Sequence, residues 1–217
     1  PEAAFPVETL TGDIADPAAR RAMLAGRPDL VFHLAAIVSG EAERDFDKGY
    51  RINLDATRGL LEDIRKAEGW CPRLVFTSSI AVFGRPFPAV IPDDFAPAPL
   101  TSYGAQKAIS ELLIADYSRR GFVEGLSVRM PTLVVRPGKA NLAASGFFSN
   151  ILREPLAGLP AVLPVPDTVR HWFASPRAAV GYLIHAAGLD FADLGGPPTL
   201  TLPGLSATVA EEIEALR

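Results

Sequence analysis

Apolar and polar positions along this chain follow two alternating rhythms. Short continuous apolar runs, DLVFHLAA from Asp29, RLVFTSSIAVFG from Arg73 and GLSVRMPTLVV from Gly125, are bounded by turn residues and are rich in β-branched and aromatic side chains. Between them lie longer stretches in which apolar residues recur every three or four positions: DPAARRAMLAG, a segment from about Tyr50 to Ala67, and SYGAQKAISELL from Ser102. The opening FPVETLTGDI also reads as a strand. Strands apolar on both faces, separated by helices, predict a parallel sheet covered on both sides, an α/β doubly wound core.

After Gly138 the rhythm changes. SGFFSNILREPLAG, a proline-rich hinge, RHWFASPRAAVGYLIHAAG and TLTLPG are shorter mixed elements, and they predict a smaller lobe laid over the strand ends, where such sheets bind ligands. The expected division is therefore residues 1–137 for a dinucleotide-type core and 138–217 mainly for a substrate lobe. Asp16 before Pro17 predicts a helix start with proline at its first turn, and Ser206 or Thr208 a cap for the last helix. The chain opens on Pro1 and both ends read as cuts through a longer protein.

Composition narrows the function classes. Of 217 residues, 48% are hydrophobic and 21% charged, the balance of a globular chain, and the apolar run Leu30 to Val38 is too short to span a bilayer. A net charge of −4 with scattered arginines argues against nucleic acid. The single cysteine, Cys71, and three separated histidines, His33, His171 and His185, give neither a disulfide nor metal-ligand spacing, which points to a reducing, cytoplasmic compartment without a metal.

The chemistry sits in SYGAQK. Tyr103 and Lys107 are four apart on a helix and can face one crevice, where an ammonium beside a phenol would lower the phenol pKa toward the working range of a base. TSSIAVFG, from Thr77, ends an apolar strand with hydroxyl side chains at the sheet edge that carries sites, so Ser79 could hold a reacting oxygen, with Ser78 the choice if the register is shifted by one. A serine at a strand end is equally a turn hydroxyl.

LVFTSSIAVFG, TSYGAQK, GDIAD and VFHLAA together resemble the extended short-chain dehydrogenase/reductase family, which includes NAD-dependent epimerases and dehydratases. The resemblance implies a Rossmann-type sheet and a catalytic trio of Ser79, Tyr103 and Lys107, with Lys107 also holding the nicotinamide ribose of NAD. It further implies cofactor contacts at Asp13 and the backbone of Ile14 near the adenine, at Leu34, Ala35 and Ala36, at Asn53 near the ribose, and at Pro131 and Thr132 near the nicotinamide amide. Residue by residue, a turn-forming Asp13, core alanines and a locally distorting Asn53 fit the same sequence; His33 reads as a satisfied core histidine. Subunits of the family often pair through the helix beginning near Ser102, which makes a homodimer through Ile109, Leu112 and Leu113 a possibility beside core packing.

Within the family, Ile80 and Ala81 after Ser79 stand where dehydratases carry acids, and VRHWFASPRAAVGYLIHAA departs from the nucleotide-sugar pattern. That stretch, RPGKANLAASGFFSNILREPLAG and LPGLSATV are similar to the branch that oxidises the 2-hydroxyl of a small sugar acid such as D-erythronate to the 2-oxo acid with NAD. Asn141, Ser145 and Arg170 would then clamp the substrate alongside Ser79 and Tyr103, with surface arginine the alternative for Arg170. No G-x-G-x-x-G turn occurs in the sequence. The family's first strands and pyrophosphate grip are thus expected to be missing, which leaves a nucleotide-sugar epimerase and a cofactor-binding-defective inactive fragment as the competing readings.

Overall fold

In the computed structural model, residues 6–136, 143–194, 196 and 198–216 are described. Four parallel strands form the main sheet in the order β1 (Leu30–His33), β2 (Arg73–Ser79), β3 (Glu124–Met130), β6 (Thr199–Thr201). The expected α/β core with a parallel sheet is the fold observed. Within the opening FPVETLTGDI, residues 6–13 do not form a strand: they have no regular structure, and among the described residues no strand lies on the free edge of β1 to receive their hydrogen bonds. An extended segment without a pairing partner leaves its backbone to water.

Local signals set the helix starts. Asp16 Oδ1 accepts from the Ala18 amide at 2.9 Å and starts α1 (Pro17–Leu24) with Pro17 in the first turn, where a missing N–H is harmless. Short helices α2 (Ser39–Arg44) and α3 (Phe46–Gly49) lead into a π-helical stretch, Tyr50–Asp55, continued as α4 (Ala56–Arg65). Thr208 caps α8 (Val209–Glu214) in a reciprocal capping box with Glu211.

One face of the sheet is sealed by α1, α4 and α5 (Ser102–Arg119): Leu24, Leu60, Leu61, Ile64 and Ile114 pack on Val31, Leu74 and Phe76. The other face, Val75, Leu126 and Val128, is covered by α7 (Pro176–Gly188), with Tyr182, Leu183 and Ala186 against it. On α5, Leu113 packs into the core, whereas Ile109 and Leu112 lie exposed.

A second body pairs β4 (Thr132–Leu133) with β5 (Arg170–Ala174) in parallel and β5 with β7 (Leu205–Thr208) antiparallel. Its core, Phe148, Ile151, Phe173 and Val209, lies between this sheet, α6 (Gly146–Leu156) and α8. Chain order and space part company after residue 138, because α7 and β6 return to the main sheet. No helix among the described residues is long and apolar enough to cross a membrane.

Candidate active site

Parallel strands put their C-terminal ends on one edge of the sheet, so Leu34 after β1, Ser79 at the end of β2 and Pro131 after β3 fall on the same edge. Ser79 pairs in register with Met130 and caps a single 3-10 turn, Ile80–Val82, its Oγ accepting from the Ala81 amide at 3.1 Å. That turn is the seat for α5. Thr101 Oγ1 caps the helix by accepting from Gly104 N at 3.1 Å, and a Cβ on Gly104 would stand 2.2 Å from the carbonyl oxygen of Ala81. Only glycine lets the first turn of α5 press onto the turn that follows β2, and this sets Tyr103 close enough to Ser79 for the serine hydroxyl to act on the phenol.

The two adjacent serines point to opposite duties, as a strand's alternation requires. Ser78 is buried and its hydroxyl donates to Glu111, which also takes a bidentate grip from Arg129, with Nε and Nη2 at 3.0 and 2.8 Å from its two oxygens. Ser78 is thereby consumed in the core, and Ser79 is the serine that meets Tyr103.

Lys107 is 2% exposed and donates from Nζ to the carbonyl of Thr77 at 2.6 Å, with Phe76 4.4 Å and Tyr103 5.7 Å from it to the ring centroids. Burial lowers its pKa to about 8, while the charge of Glu111 works against the drop. Tyr103 departs from the expectation drawn from spacing. Burial raises its pKa above the ordinary phenol value and the bond with Ser79 offsets part of the rise; the lysine is aimed at Thr77, not at the phenol oxygen.

Asn53 is a clamp. Its Oδ1 accepts from the Ile37 amide at 2.8 Å and its Nδ2 donates to Gln106 at 2.8 Å, tying the loop after β1 to α5 one residue before Lys107. The π-helical winding there also directs the Asn53 carbonyl to Thr57 Oγ1 at 2.9 Å and Ser110 Oγ at 3.4 Å. Because the Thr57 hydroxyl donates to that carbonyl, it must accept from His33 Nε2 at 2.8 Å; His33 is buried and neutral, with its pKa lowered to about 3 by burial and the nearby Lys107.

Leu34, Ala35 and Ala36 are exposed at the strand end, not buried in a core. Asp13 accepts from Ala15 N at 2.9 Å and pairs with Arg51 at 2.9 Å, both of which hold its carboxyl below the usual carboxylate range. The adjoining Ile14 and Ala15 carbonyls accept from buried Arg20 at 2.8 and 3.2 Å, and Arg20 also pairs with Asp63 at 2.8 Å. Pro131 and Thr132 are buried, and Thr132 Oγ1 hydrogen-bonds His171 Nε2 at 2.7 Å.

The expected substrate clamp comprises Asn141, Ser145 and Arg170. Asn141 lies outside the described residues. Ser145 stands half-buried at the start of α6 with no capping bond on its hydroxyl, in a segment tied to the strand-end loops by Ala144 N donating to Ser39 Oγ at 3.0 Å. Arg170 is exposed and committed to the Ser206 carbonyl at 3.1 Å and to Glu211 at 3.3 Å; no described contact joins it to Ser79 or Tyr103. Glu111, Arg129, Gln106, Arg20 and Ser39 were missed in the sequence, where a polar residue on a helix or strand looks like solvent-facing surface. Only the i, i+4 step from Lys107 to Glu111 offered a signal.

Residues 1–173 match the NAD dependent epimerase/dehydratase family. The chain is 54% identical over 211 residues to a D-erythronate dehydrogenase of Cupriavidus necator, covering 97% of this chain and 65% of that protein. It is 48% identical over 194 residues to a D-erythronate dehydrogenase of Haemophilus influenzae, covering 89% and 61%. It thus spans under two thirds of the length of either relative. A solved nucleoside-diphosphate-sugar epimerase from Agrobacterium tumefaciens superposes with a TM-score of 0.92 at 61% identity, over all of this chain and 66% of that one. By sequence and by fold, this chain belongs to the NAD dependent epimerase/dehydratase family.

Proposed function

We propose that the chain carries the catalytic portion of an NAD-dependent dehydrogenase that oxidises the 2-hydroxyl of a small sugar acid such as D-erythronate to the 2-oxo acid. The observation that carries the reading is the meeting of Ser79, Tyr103 and Lys107 at one strand end in a chain 54% and 48% identical to D-erythronate dehydrogenases. NAD, when bound, supplies the acceptor for the hydride that leaves the substrate carbon.

The cofactor fits the residues present on its nicotinamide side. Lys107 uses one of its three N–H groups on Thr77, and the others, without an acceptor among the described residues, can meet ribose hydroxyls. Small Ala35 and Ala36, exposed at the strand end, leave backbone approachable there, and Asp13 with Ile14 is assigned to the adenine from the family resemblance. In the reaction, Ser79 holds the substrate oxygen and Tyr103 removes its proton. The ammonium of Lys107 orients the ribose and favours the phenolate once ligands complete the site. Ser145 belongs to the segment that closes over the substrate. The single exposed cysteine, Cys71, is in keeping with a reducing cytoplasmic setting.

The 61% identity to a protein named as a nucleoside-diphosphate-sugar epimerase favours a second reading, epimerisation of a nucleotide sugar. The two differ in net redox change. The test incubates the chain, alone and extended to the length of its relatives, with NAD and D-erythronate while NADH absorbance is followed. Accumulating NADH supports the dehydrogenase. No NADH, together with interconversion of a nucleotide sugar, supports the epimerase. A folded protein whose Trp70 and Trp172 fluorescence ignores NAD supports an inactive fragment.

A further inference from the structure

Lys107 is a buried ammonium with one hydrogen-bond acceptor among the described residues, and its burial favours loss of its proton while the face of Phe76, 4.4 Å from Nζ, works the other way. One helical turn further along α5 stands Glu111, 4% exposed, on the same face. Its carboxylate is fixed from two strands at once, by the Ser78 hydroxyl of β2 and the Arg129 guanidinium of β3. Nothing in the proposed reaction requires a carboxylate there.

We propose that Glu111, locked in place by Ser78 and Arg129, is a positioning residue that keeps Lys107 charged and directed at the strand end. Among the described residues, the remaining groups near the lysine supply no negative charge. His33 is neutral, Tyr103 is a protonated phenol, and Arg129 is a cation. Glu111 is the acidic side chain that acts on Lys107. Without it, the buried lysine would keep no acidic side chain near it among the described residues and would give up its proton more readily. Removing Arg129 instead would release Glu111 to serve Lys107 alone. The two deletions are therefore expected to act in opposite directions, which a merely structural network would not produce. The inference rests on reading Lys107 as the cofactor-facing amine, but it concerns the lysine itself and can be read without turnover.

Lys107 is one of four lysines in the sequence, which makes its side-chain signal assignable by Lys107→Met in a sample carrying 13C at the lysine ε-carbons. The experiment titrates that signal by NMR in the folded chain, Glu111→Gln and Arg129→Met. The expected result is a midpoint lowered by about one pH unit or more in Glu111→Gln, a tenfold change in the proton equilibrium, and raised in Arg129→Met. An unchanged midpoint in both, or shifts of the same sign, overturns the proposal. Should Glu111→Gln fail to fold, Arg129→Met decides by itself: an upward shift supports the role and a static or lowered midpoint removes it. Activity toward D-erythronate is not part of this readout, so a failed titration and a failed dehydrogenase assay remain separate results.

Discussion

Lys107 donates to the carbonyl of Thr77 at 2.6 Å, so the lysine is anchored to the strand that carries Ser79 and not to its helical neighbour Tyr103. The phenol meets Ser79 instead. The two elements thus bring Ser79, Tyr103 and Lys107 to one strand end, with the ammonium braced against the backbone of β2.

Tyr103→Phe removes only the hydroxyl. In the chain extended to the length of its relatives, turnover should fall by about 100-fold or more while NADH binding, followed by fluorescence, is retained. Near-normal turnover of the Phe variant would exclude Tyr103 as the base.

Because burial raises the Tyr103 pKa, the phenolate becomes more populated with rising pH. For oxidation, kcat/KM should climb steadily between pH 6 and 9, since that parameter follows the free enzyme. A flat profile over this range would contradict a phenolate base.

Gly104→Ala places a methyl against the carbonyl of Ala81, where an ideal Cβ would stand 2.2 Å away. The helix must retreat from the end of β2, taking Tyr103 from Ser79. We expect a loss of about 1–3 kcal/mol in chemical denaturation, together with lost activity in the extended chain. Unaltered stability would mean that the 3-10 turn yields freely.

Glu212 is buried with neither carboxylate oxygen hydrogen-bonded among the described residues, and burial raises its pKa to about 7. The folded state holds this proton more tightly than the unfolded chain, so stability falls as pH rises from about 4.5 to 7 and the penalty is complete above 7. Glu212→Gln should therefore gain about 1–3 kcal/mol at pH 8 and nothing at pH 4. Equal gains at both would point to packing, not charge.

His33 and His171 behave oppositely. Burial lowers their pKa values to about 3 and about 4 from 6.5, so the unfolded chain takes up protons that the folded chain refuses. Their contribution is intact above pH 6.5 and fades as pH falls toward 4, at about 1.4 kcal/mol per pH unit for each histidine. Thermal melts should show that acid slope shrinking in His171→Phe, which keeps a ring on Phe148 but cannot titrate. An unchanged slope would refute the assignment.

The sequence by itself determined the parallel α/β core, the helix starts at Asp16 and Thr208, and the pairing of SYGAQK with TSSIAVFG, because apolar periodicity, caps and adjacent motif residues are local properties of the chain. It chose Ser79 with Ser78 in reserve but could not show that Ser78 is tied up by Glu111, nor reveal that Glu111 and Arg129 share a buried ion pair, since β3 meets α5 only after the chain has turned back on itself. Tertiary structure also reversed the direction of the Tyr103 shift and drew Arg170 to Glu211. Desolvation and cross-element hydrogen bonds depend on what lies nearby in space, and spacing along the chain carries no record of that.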